Sequence, residues 1–271
     1  MWWWAQVATT RTREAAKTCC AAAYGSDIAA LLLGDSYHPG GLSLTRRLAT
    51  QLGLPRDAHV LDVASGPGAT AMMLAGEFGL RVAGLDLSAA NVALAQGRAD
   101  AQGQADRVSF AVGDAELLPY PDAAFDAVVI ECALCTFPNK PAAAAETARV
   151  LRNGGRLGLT DVLGDADRLP AELTTLAAHI ACIAGARPMH TYADLVDAAG
   201  LRTTRTERHD AALARMIDQI EARLELVRLT ARAQAEALGL DLDRAKQALA
   251  AARAAVADGV IGYGLLVADK P

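Results

Sequence analysis

Short apolar runs alternate with amphipathic segments through the middle of the chain. Five of these runs predict strands, because each is short, rich in aliphatic residues and bounded by turn residues. They lie at His59–Ala64, Leu80–Leu85, Arg107–Val112, Phe125–Glu131 and Arg156–Val162. Helices are predicted between them at Gly68–Phe78, after a capping Ser88, and at Pro141–Leu151, which the glycines after Asn153 are expected to end. Near-continuous apolar strands that alternate with helices are typical of a parallel sheet covered on both faces.

The flanking regions are mostly helical in pattern. Residues 1–52 form an N-terminal helical segment, with a break near Gly25 and a further helix at Ser43–Leu52. The remaining predictions follow the fifth strand along the chain. They are a helix at Pro170–Ala186, a short helix at Tyr192–Ala199, a strand at Leu201–His209, a charge-balanced helical stretch at Ala211–Ala257 that splits near Gly239, and a final strand at Gly259–Ala268.

Composition and charge restrict the possible functions. The chain has 271 residues and a net charge of −5, so a grip on nucleic-acid phosphates is disfavoured. Charged residues or glycine interrupt the apolar runs well before the ~18 residues that a membrane helix needs, so no membrane partner is expected. The five cysteines are an odd number and no secretion signal precedes them, which predicts a cytoplasmic protein without a disulfide framework. These cysteines are Cys19, Cys20, Cys132, Cys135 and Cys182.

A glycine-containing turn follows the first predicted strand, in the segment Asp62-Val63-Ala64-Ser65-Gly66-Pro67-Gly68. Glycines at this place let a ligand approach the backbone, and the next helix presents free N–H groups. Asp86 ends the second predicted strand, where a carboxylate can bind ribose hydroxyls. Asp114 follows the third strand, where a base would be recognised. Three such strand ends in order favour a nucleoside-type cofactor, although the glycine spacing fits the nicotinamide fingerprint poorly.

These motifs resemble those of the class I S-adenosylmethionine-dependent methyltransferases. The matching segments are Leu61–Gly68, Gly84–Ser88, Gly113–Tyr120 and Phe125–Val129, with Ala64 where the family usually has glycine. The resemblance implies an α/β fold: a Rossmann-like sheet of seven strands with an antiparallel last strand. Residues 53–271 would form the methyltransferase domain, after the N-terminal helical segment, and the helices of about residues 211–257 would be an insertion before the last strand.

The same resemblance implies how S-adenosylmethionine would be bound as the cofactor. Gly66 and Gly68 would lie against its methionine part, Asp86 would bind the ribose, and Asp114 and Ala115 would line the adenine pocket. The remaining residues expected at the cofactor are Asp62, Ala64, Leu87 and Glu131.

The segment Ile130–Asp161 is similar, more narrowly, to the arsenite methyltransferases. It carries Glu131-Cys132, Pro138-Asn139-Lys140 and Thr160-Asp161-Val162, and Cys182 follows in a family-like context. This resemblance implies that Cys132 and Cys182 hold trivalent arsenic as the methyl acceptor, with Cys135 as a third thiolate and Cys20 as a further ligand. Soft thiolates suit a thiophilic centre. A thiol reductant such as thioredoxin or glutathione would be the partner, and the biological role would be arsenic detoxification.

Other interpretations of the same residues remain open. The acceptor can be a small organic molecule, as in the quinone and sterol methyltransferases, with Ala211–Ala257 as an apolar lid. The chain can also be a sensor that uses the fold as a scaffold, although the intact cofactor motifs argue against it. A zinc site lacks the second ligand pair that such sites have. His38 is a candidate base, and each cysteine can be a small apolar core residue.

Overall fold

The predicted strands pair side by side in one seven-stranded sheet. The computed structural model describes residues 14–34, 36–173, 182–237 and 241–271. Its strands are β1 (His59–Val63), β2 (Arg81–Asp86), β3 (Val108–Val112), β4 (Phe125–Glu131), β5 (Leu151–Gly164), β6 (Arg202–Arg208) and β7 (Ile261–Asp269). The order across the sheet is β3-β2-β1-β4-β5-β7-β6, and β7 runs antiparallel to both of its neighbours. The expected Rossmann-like sheet with an antiparallel last strand is therefore confirmed.

Helices cover the sheet and extend the chain at its N-terminal side. They are α1 (14–24), α2 (Asp27–Leu33), α3 (Gly41–Leu52), α4 (Ala69–Phe78), α5 (Ala89–Ala101), α6 (Lys140–Val150), α7 (Met189–Ala198), α8 (Asp210–Thr230), α9 (Arg232–Ala237) and α10 (Leu242–Ala257). The predicted break after α1 lies at residues 25–26, and Ser88 caps α5 through its side chain, as expected. No helix in the described part of the chain has the length and apolarity to cross a membrane.

Alternating strand residues supply two apolar cores, one on each face of the sheet. In β1, Val60 packs into the core beneath α3 and α4, whereas Leu61 and Val63 face the opposite core with α6 and α7. The central strands β1 and β4 are buried on both faces over most of their length, which explains the consecutive apolar residues Val60-Leu61 and Ala127-Val128-Val129-Ile130. This arrangement fixes the carboxyl ends of β1 to β4 along one edge, where ligands bind in open α/β sheets.

The helices α8, α9 and α10 lie between β6 and β7, as the insertion was expected to do. The division of this stretch differs from the prediction, because the helical run already breaks at Ala231, which separates α8 from α9. Gly239, at which the split was predicted, lies outside the described residues. The insertion packs on the rest of the molecule through contacts of α8 with α2 and β7, and of α10 with β7.

The helix predicted at Pro141–Leu151 is confirmed within one residue at each end as α6, but the predicted glycine stop is wrong. The last carbonyls of α6 are satisfied by Lys270, whose Nζ donates to Ala148 O at 2.7 Å and to Leu151 O at 2.6 Å. Gly154 and Gly155 instead exchange backbone hydrogen bonds with Lys270 at the irregular start of β5. A contact distant in sequence therefore replaces the glycine cap.

The helix predicted at Pro170–Ala186 is also corrected where the structure describes it. Residues 171–173 form a single 3₁₀ turn, and residues 182–186 form turns and bends rather than a helix. Cys182 has a φ of 66°, which lies in the left-handed region and cannot continue a right-handed helix. Residues 174–181 lie outside the described residues.

A substitution at Gly84 in β2 tests how closely the sheet packs beneath the loops at the strand ends. A Cβ atom there would overlap the Phe110 ring and lie 3.0 Å from Ser65 Oγ. We expect Gly84→Ala to lower the free energy of unfolding by about 1–3 kcal/mol in urea denaturation. The control is Gly97→Ala in α5, which meets no atom within 4 Å and should stabilise the helix by up to ~1 kcal/mol. Equal stability of the two variants would contradict this packing.

Candidate active site

A cavity opens at the carboxyl ends of β1, β2, β3 and β4. Its open space measures about 1070 Å³, including the part that is open to solvent. The predicted cofactor residues that line it are Asp62, Ala64, Gly66, Asp86, Leu87, Asp114, Ala115 and Glu131. The structure thus collects at one place residues that are spread over some seventy positions of the sequence.

The two loop glycines have different functions in the structure. Gly66 lines the cavity with a φ of 52°, and its N–H donates to Asp86 Oδ2 at 2.8 Å. Gly68 is not among the cavity-lining residues of the described chain, and its expected contact with the methionine part stays a prediction. A Cβ atom at Gly68 would lie 2.6 Å from Phe110 Cζ and 2.9 Å from Ala95 Cβ. Gly68 therefore permits close helix–strand packing and begins α4 with a left-handed φ of 84°.

Asp86 and Asp114 are held by backbone donors at neighbouring strand ends. Asp86 Oδ1 accepts from Ser88 N at 2.8 Å, and burial raises the pKa of the Asp86 carboxyl. Asp114 Oδ1 accepts from Glu116 N at 2.9 Å, and its Oδ2 receives Lys17 Nζ at 2.7 Å. These contacts fix both carboxylates at the places where the ribose and the base were expected.

Two carboxylate oxygens at the floor of the cavity have no protein partner among the described residues. They are Asp62 Oδ2 and Glu131 Oε1, on residues that are almost fully buried. Burial, and then the charges of Glu131 and Asp86, raise the pKa of Asp62 well above its usual range. A buried unpaired carboxylate is costly, so this floor favours a ligand that carries positive charge.

This floor provides a test of the expected cofactor. S-adenosylmethionine carries an ammonium and a sulfonium group beside its adenosine. The unpaired Asp62 oxygen suits a cationic group of the cofactor, and Asp86 and Asp114 stand where the ribose and the base require acceptors. The residues present therefore fit the cofactor, and Asp62 is the residue best suited to pair with its ammonium group.

Helix α1 covers the cavity, and of its lining residues only Cys20 was predicted from the sequence as a site residue. Lys17, Cys20, Ala21 and Tyr24 line it, at a spacing that places them on one helical face. Lys17 Nζ bridges Asp114 Oδ2 and Glu116 Oε2, each at 2.7 Å. Only the helical spacing indicated a buried face in α1, and nothing local showed which surface that face contacts.

The thiols of Cys132, Cys135 and Cys182 come together beside the cavity. The Cys182 Sγ donates to the Cys132 carbonyl at 3.2 Å and lies 3.3 Å from Tyr24 Oη. Hydrogen bonding with Cys182 and burial raise the pKa of the Cys132 thiol, and burial and then Cys182 raise that of Cys135. Both Cys132 and Cys182 have left-handed backbones, with φ of 55° and 66°. The neutral thiol is therefore the favoured form at Cys132 and Cys135.

Their accessibility differs. Of the three, only Cys132 lines the cavity, whereas Cys135 and Cys182 are buried. Cys20 also lines it, and its thiol has a pKa raised by burial and by the neighbouring Cys19 and Cys182. Among the residues that the structure describes, no set of three or more His, Cys, Asp or Glu is arranged to hold a metal ion. A three-thiolate centre with Cys135 as a ligand thus has no support from the geometry.

A buried polar group anchors the turn that carries these thiols. Asp161 Oδ2 accepts from Cys135 N at 2.9 Å and its Oδ1 accepts from Val162 N at 2.7 Å. Lys140 Nζ donates to the carbonyls of Cys135 at 2.6 Å and Phe137 at 3.1 Å. The turn after β4 is thereby held so that Thr136 and Phe137 line the cavity.

His38 lies at the base of the cavity beside Glu131. Its Nε2 is 3.4 Å from Glu131 Oε2 and 3.3 Å from Thr45 Oγ1, and its Nδ1 is 3.4 Å from the Pro39 carbonyl. Both ring nitrogens thus have protein oxygens nearby, and the tautomer is not defined by the heavy atoms. A role for His38 as the base stays a prediction.

Asp161 makes the stability of the fold depend on pH. Burial, and then the nearby Cys182, raise the pKa of this carboxyl to about 7. The folded state therefore holds a proton that the unfolded state releases near pH ~4, so this contribution declines as pH rises towards ~7. We expect Asp161→Asn to flatten this decline, which amounts to about 4 kcal/mol at most. Urea denaturation at several pH values measures it, and the exposed Asp167→Asn should retain the wild-type slope.

Ala64 has a backbone conformation that glycine would adopt without strain. Its φ of 58° lies in the left-handed region, which costs a residue with a Cβ roughly 1–2 kcal/mol, partly offset by the flexibility of glycine in the unfolded chain. We expect Ala64→Gly to raise stability by up to ~1 kcal/mol in urea denaturation. Ala123→Gly is the matched control, because Ala123 has a φ of 54° and does not line the cavity. A loss of stability in both variants would contradict the assignment of strain.

Comparisons with known proteins agree with this geometry. The family described as "Methyltransferase domain" matches residues 61–159. The methyltransferase GfsG of Streptomyces halstedii is 32% identical over 169 residues, which cover 62% of this chain and 61% of that protein. The 27-O-demethylrifamycin SV methyltransferase of Amycolatopsis mediterranei is 41% identical over 120 residues, or 44% of each chain. The chain thus spans less than two thirds of these relatives.

A solved structure with a similar fold covers most of the chain. The putative sarcosine dimethylglycine methyltransferase of Galdieria sulphuraria superposes with a TM-score of 0.76, at 22% identity and with 85% of each chain covered. At this identity the likeness shows the fold alone. The matched domain, the sheet order and the cofactor-fitting strand ends lead to one assignment. Residues 61–159 match a methyltransferase domain, and they lie within a seven-stranded Rossmann-like methyltransferase fold.

Proposed function

We propose that this protein transfers the methyl group of S-adenosylmethionine to a small organic molecule that binds in the cavity beside the cofactor. The observation that carries the proposal is the lining that the cavity has in addition to the cofactor motifs. Tyr24, Tyr37, Thr136 and Phe137 also line it and offer apolar and aromatic surface to an acceptor. Pockets of this kind, apolar with a few polar groups, are typical of small-molecule sites.

The chain would act mainly by orientation. Asp86 and Asp114 would hold the nucleoside, and Asp62 would pair with the ammonium group of the methionine part. When bound, the cofactor supplies an electrophilic methyl group on its sulfonium. Helix α1 would exclude water above the reacting groups, because Lys17 attaches it to Asp114 and Glu116. Holding the two reactants in line accounts for a large part of such an acceleration.

The relatives support the same class of acceptor. The name of the Amycolatopsis mediterranei enzyme gives 27-O-demethylrifamycin SV, a small organic molecule, as its methyl acceptor. Because this chain spans only part of such relatives, none of their individual substrates is proposed for it. What they support is a small organic acceptor as opposed to a macromolecule.

Thiol-bound trivalent arsenic is the second candidate acceptor. The convergence of Cys132 and Cys182 favours it, because soft thiolates bind a thiophilic centre. Two features weigh against it. The raised thiol pKa values favour neutral sulfur, and only Cys132 and Cys20 line the cavity. A thiol reductant such as thioredoxin or glutathione would be a partner only for this candidate.

The proposal is tested with cofactor that carries a deuterated methyl group. We expect S-adenosylmethionine to bind with a stoichiometry of about one in calorimetry, and Asp62→Asn to weaken it at least ~10-fold, because a buried ion pair is lost. The exposed Asp167→Asn is the matched control and should bind like the wild type.

The acceptor is then identified by mass spectrometry. We expect the label to appear in small organic molecules and not in arsenite. Labelled methylarsenicals that form with the wild type and vanish in both Cys132→Ser and Cys182→Ser would establish the second candidate instead. Absence of cofactor binding would reject methyl transfer altogether.

A further inference from the structure

We propose that the methyl acceptor is an amine, and that the Glu131 carboxylate binds its cationic form and accepts its proton before transfer. This inference rests on the proposed function, because it names the class of small organic molecule. Three independent features carry it: the unpaired oxygen of Glu131, the excess of negative charge in the cavity, and the paired tyrosines of its wall.

Glu131 ends β4 and is one of the residues that line the cavity. Its Oε2 accepts hydrogen bonds from Thr45 Oγ1 at 2.9 Å and from Thr70 Oγ1 at 2.7 Å. The other oxygen, Oε1, has no partner within the described chain, although the side chain is only 4% exposed. The two hydroxyls therefore orient the carboxylate while leaving one oxygen for a ligand. A donor that is itself cationic satisfies such an oxygen best.

The cavity holds more negative than positive charge. Five acidic residues line it, namely Asp62, Asp86, Asp114, Glu116 and Glu131, although the raised pKa values of Asp62 and Asp86 reduce their negative charge until a cation binds. Among its described lining residues, Lys17 is the single lysine or arginine, and it is already bound to Asp114 and Glu116. The cofactor adds an ammonium and a sulfonium but also a carboxylate. Even with the cofactor bound, a cationic acceptor is electrostatically favoured over a neutral or anionic one.

Two tyrosines form an aromatic wall of the same cavity. The rings of Tyr24 and Tyr37 have centroids 6.2 Å apart and planes inclined by 33°. Both residues line the cavity, on α1 and on the loop before α3. Aromatic faces attract ammonium groups through their quadrupole, and substituted ammonium groups are often recognised in this way. This wall offers an amine both apolar contact and a favourable electrostatic surface.

The reaction balances without a further reactant. The bound ammonium gives one proton to Glu131 Oε1, which frees the nitrogen lone pair. That lone pair forms the new N–C bond, while the C–S bond breaks and its electron pair stays on sulfur, giving S-adenosylhomocysteine. The nitrogen becomes positive as it gains the methyl group. The nearby carboxylates stabilise this developing charge in the transition state.

The same negative charges disfavour acceptors that are methylated on oxygen or carbon. A phenol or an enol reacts best as an anion, and the Asp62, Asp86 and Glu131 carboxylates would oppose the loss of its proton. No lysine or arginine on the described cavity wall is available to stabilise such an anion, because Lys17 is paired at the base-binding end. The charge pattern thus distinguishes amines from acceptors of similar size.

The test measures acceptor binding separately from cofactor binding. The protein is loaded with S-adenosylhomocysteine, and Tm is recorded with phenethylamine, N-methylphenethylamine, 2-phenylethanol and phenol as probes. We expect the amines to raise Tm and the two neutral probes to leave it unchanged. In Glu131→Gln the shift with the amines should disappear, whereas the Kd for S-adenosylmethionine should stay within threefold of the wild type. The exposed Glu172→Gln is the control and should behave as wild type.

The transfer assay with deuterated cofactor completes the test. We expect labelled N-methyl products from the amine probes, with KM rising at least ~10-fold in Glu131→Gln, which corresponds to the loss of one charged hydrogen bond. Neutral probes that bind or react as well as amines, no response to any amine, or a Glu131→Gln variant that loses the cofactor instead would overturn the inference. A protein that binds no cofactor would reject the proposed function itself, so the two failures are distinct.

Discussion

Carboxylates that are buried at the carboxyl ends of parallel strands, without a cation of the protein to pair with, are the constraint on which the site depends. Asp62, Asp86 and Glu131 stand at the ends of β1, β2 and β4, where the sheet gathers them at one edge. Backbone N–H groups and threonine hydroxyls satisfy some of their oxygens, but Asp62 Oδ2 and Glu131 Oε1 have no partner among the described residues. Such an arrangement is stable only with a proton or with a cationic ligand.

The sheet and most of the cofactor floor could be predicted from the sequence because both are local in origin. An aliphatic strand, its terminal aspartate and the following cap lie within about ten residues of one another, as in Leu80–Ser88. The order of strands follows from alternation of strands and helices, and the glycine loop marks the first strand end. These features need no information from distant parts of the chain.

The remaining features depend on contacts that are distant in sequence. Lys17 reaches Asp114 and Glu116 across nearly one hundred positions, and Lys270 ends α6 from the other end of the chain. Gly68 matches a cofactor motif, but its neighbours Phe110 and Ala95 show that its hydrogen side chain serves packing. A motif therefore predicts the location of a residue better than its function.

The cysteines illustrate the same difference. Their sequence context led to the prediction that Cys132 and Cys182 share a site, and in the structure Cys182 donates to the Cys132 carbonyl and contacts Tyr24 of α1. Their electrostatic environment was not predictable, because it arises from burial beside Asp161 and from their mutual proximity. Neutral, mostly buried thiols are suited to packing behind the acidic cavity, whereas its unpaired carboxylate oxygens are suited to binding a cationic ligand.

The direct test of this account is the proton balance of cofactor binding. Calorimetric titration with S-adenosylmethionine, in buffers of different ionisation enthalpy from about pH 5 to about pH 7, measures the protons exchanged. The account predicts a net release of protons, because the cation lowers the raised pKa of Asp62 when it enters, and a smaller release in Asp62→Asn. Binding without proton release, or the same release in that variant, would contradict the claim that unpaired carboxylates define the site.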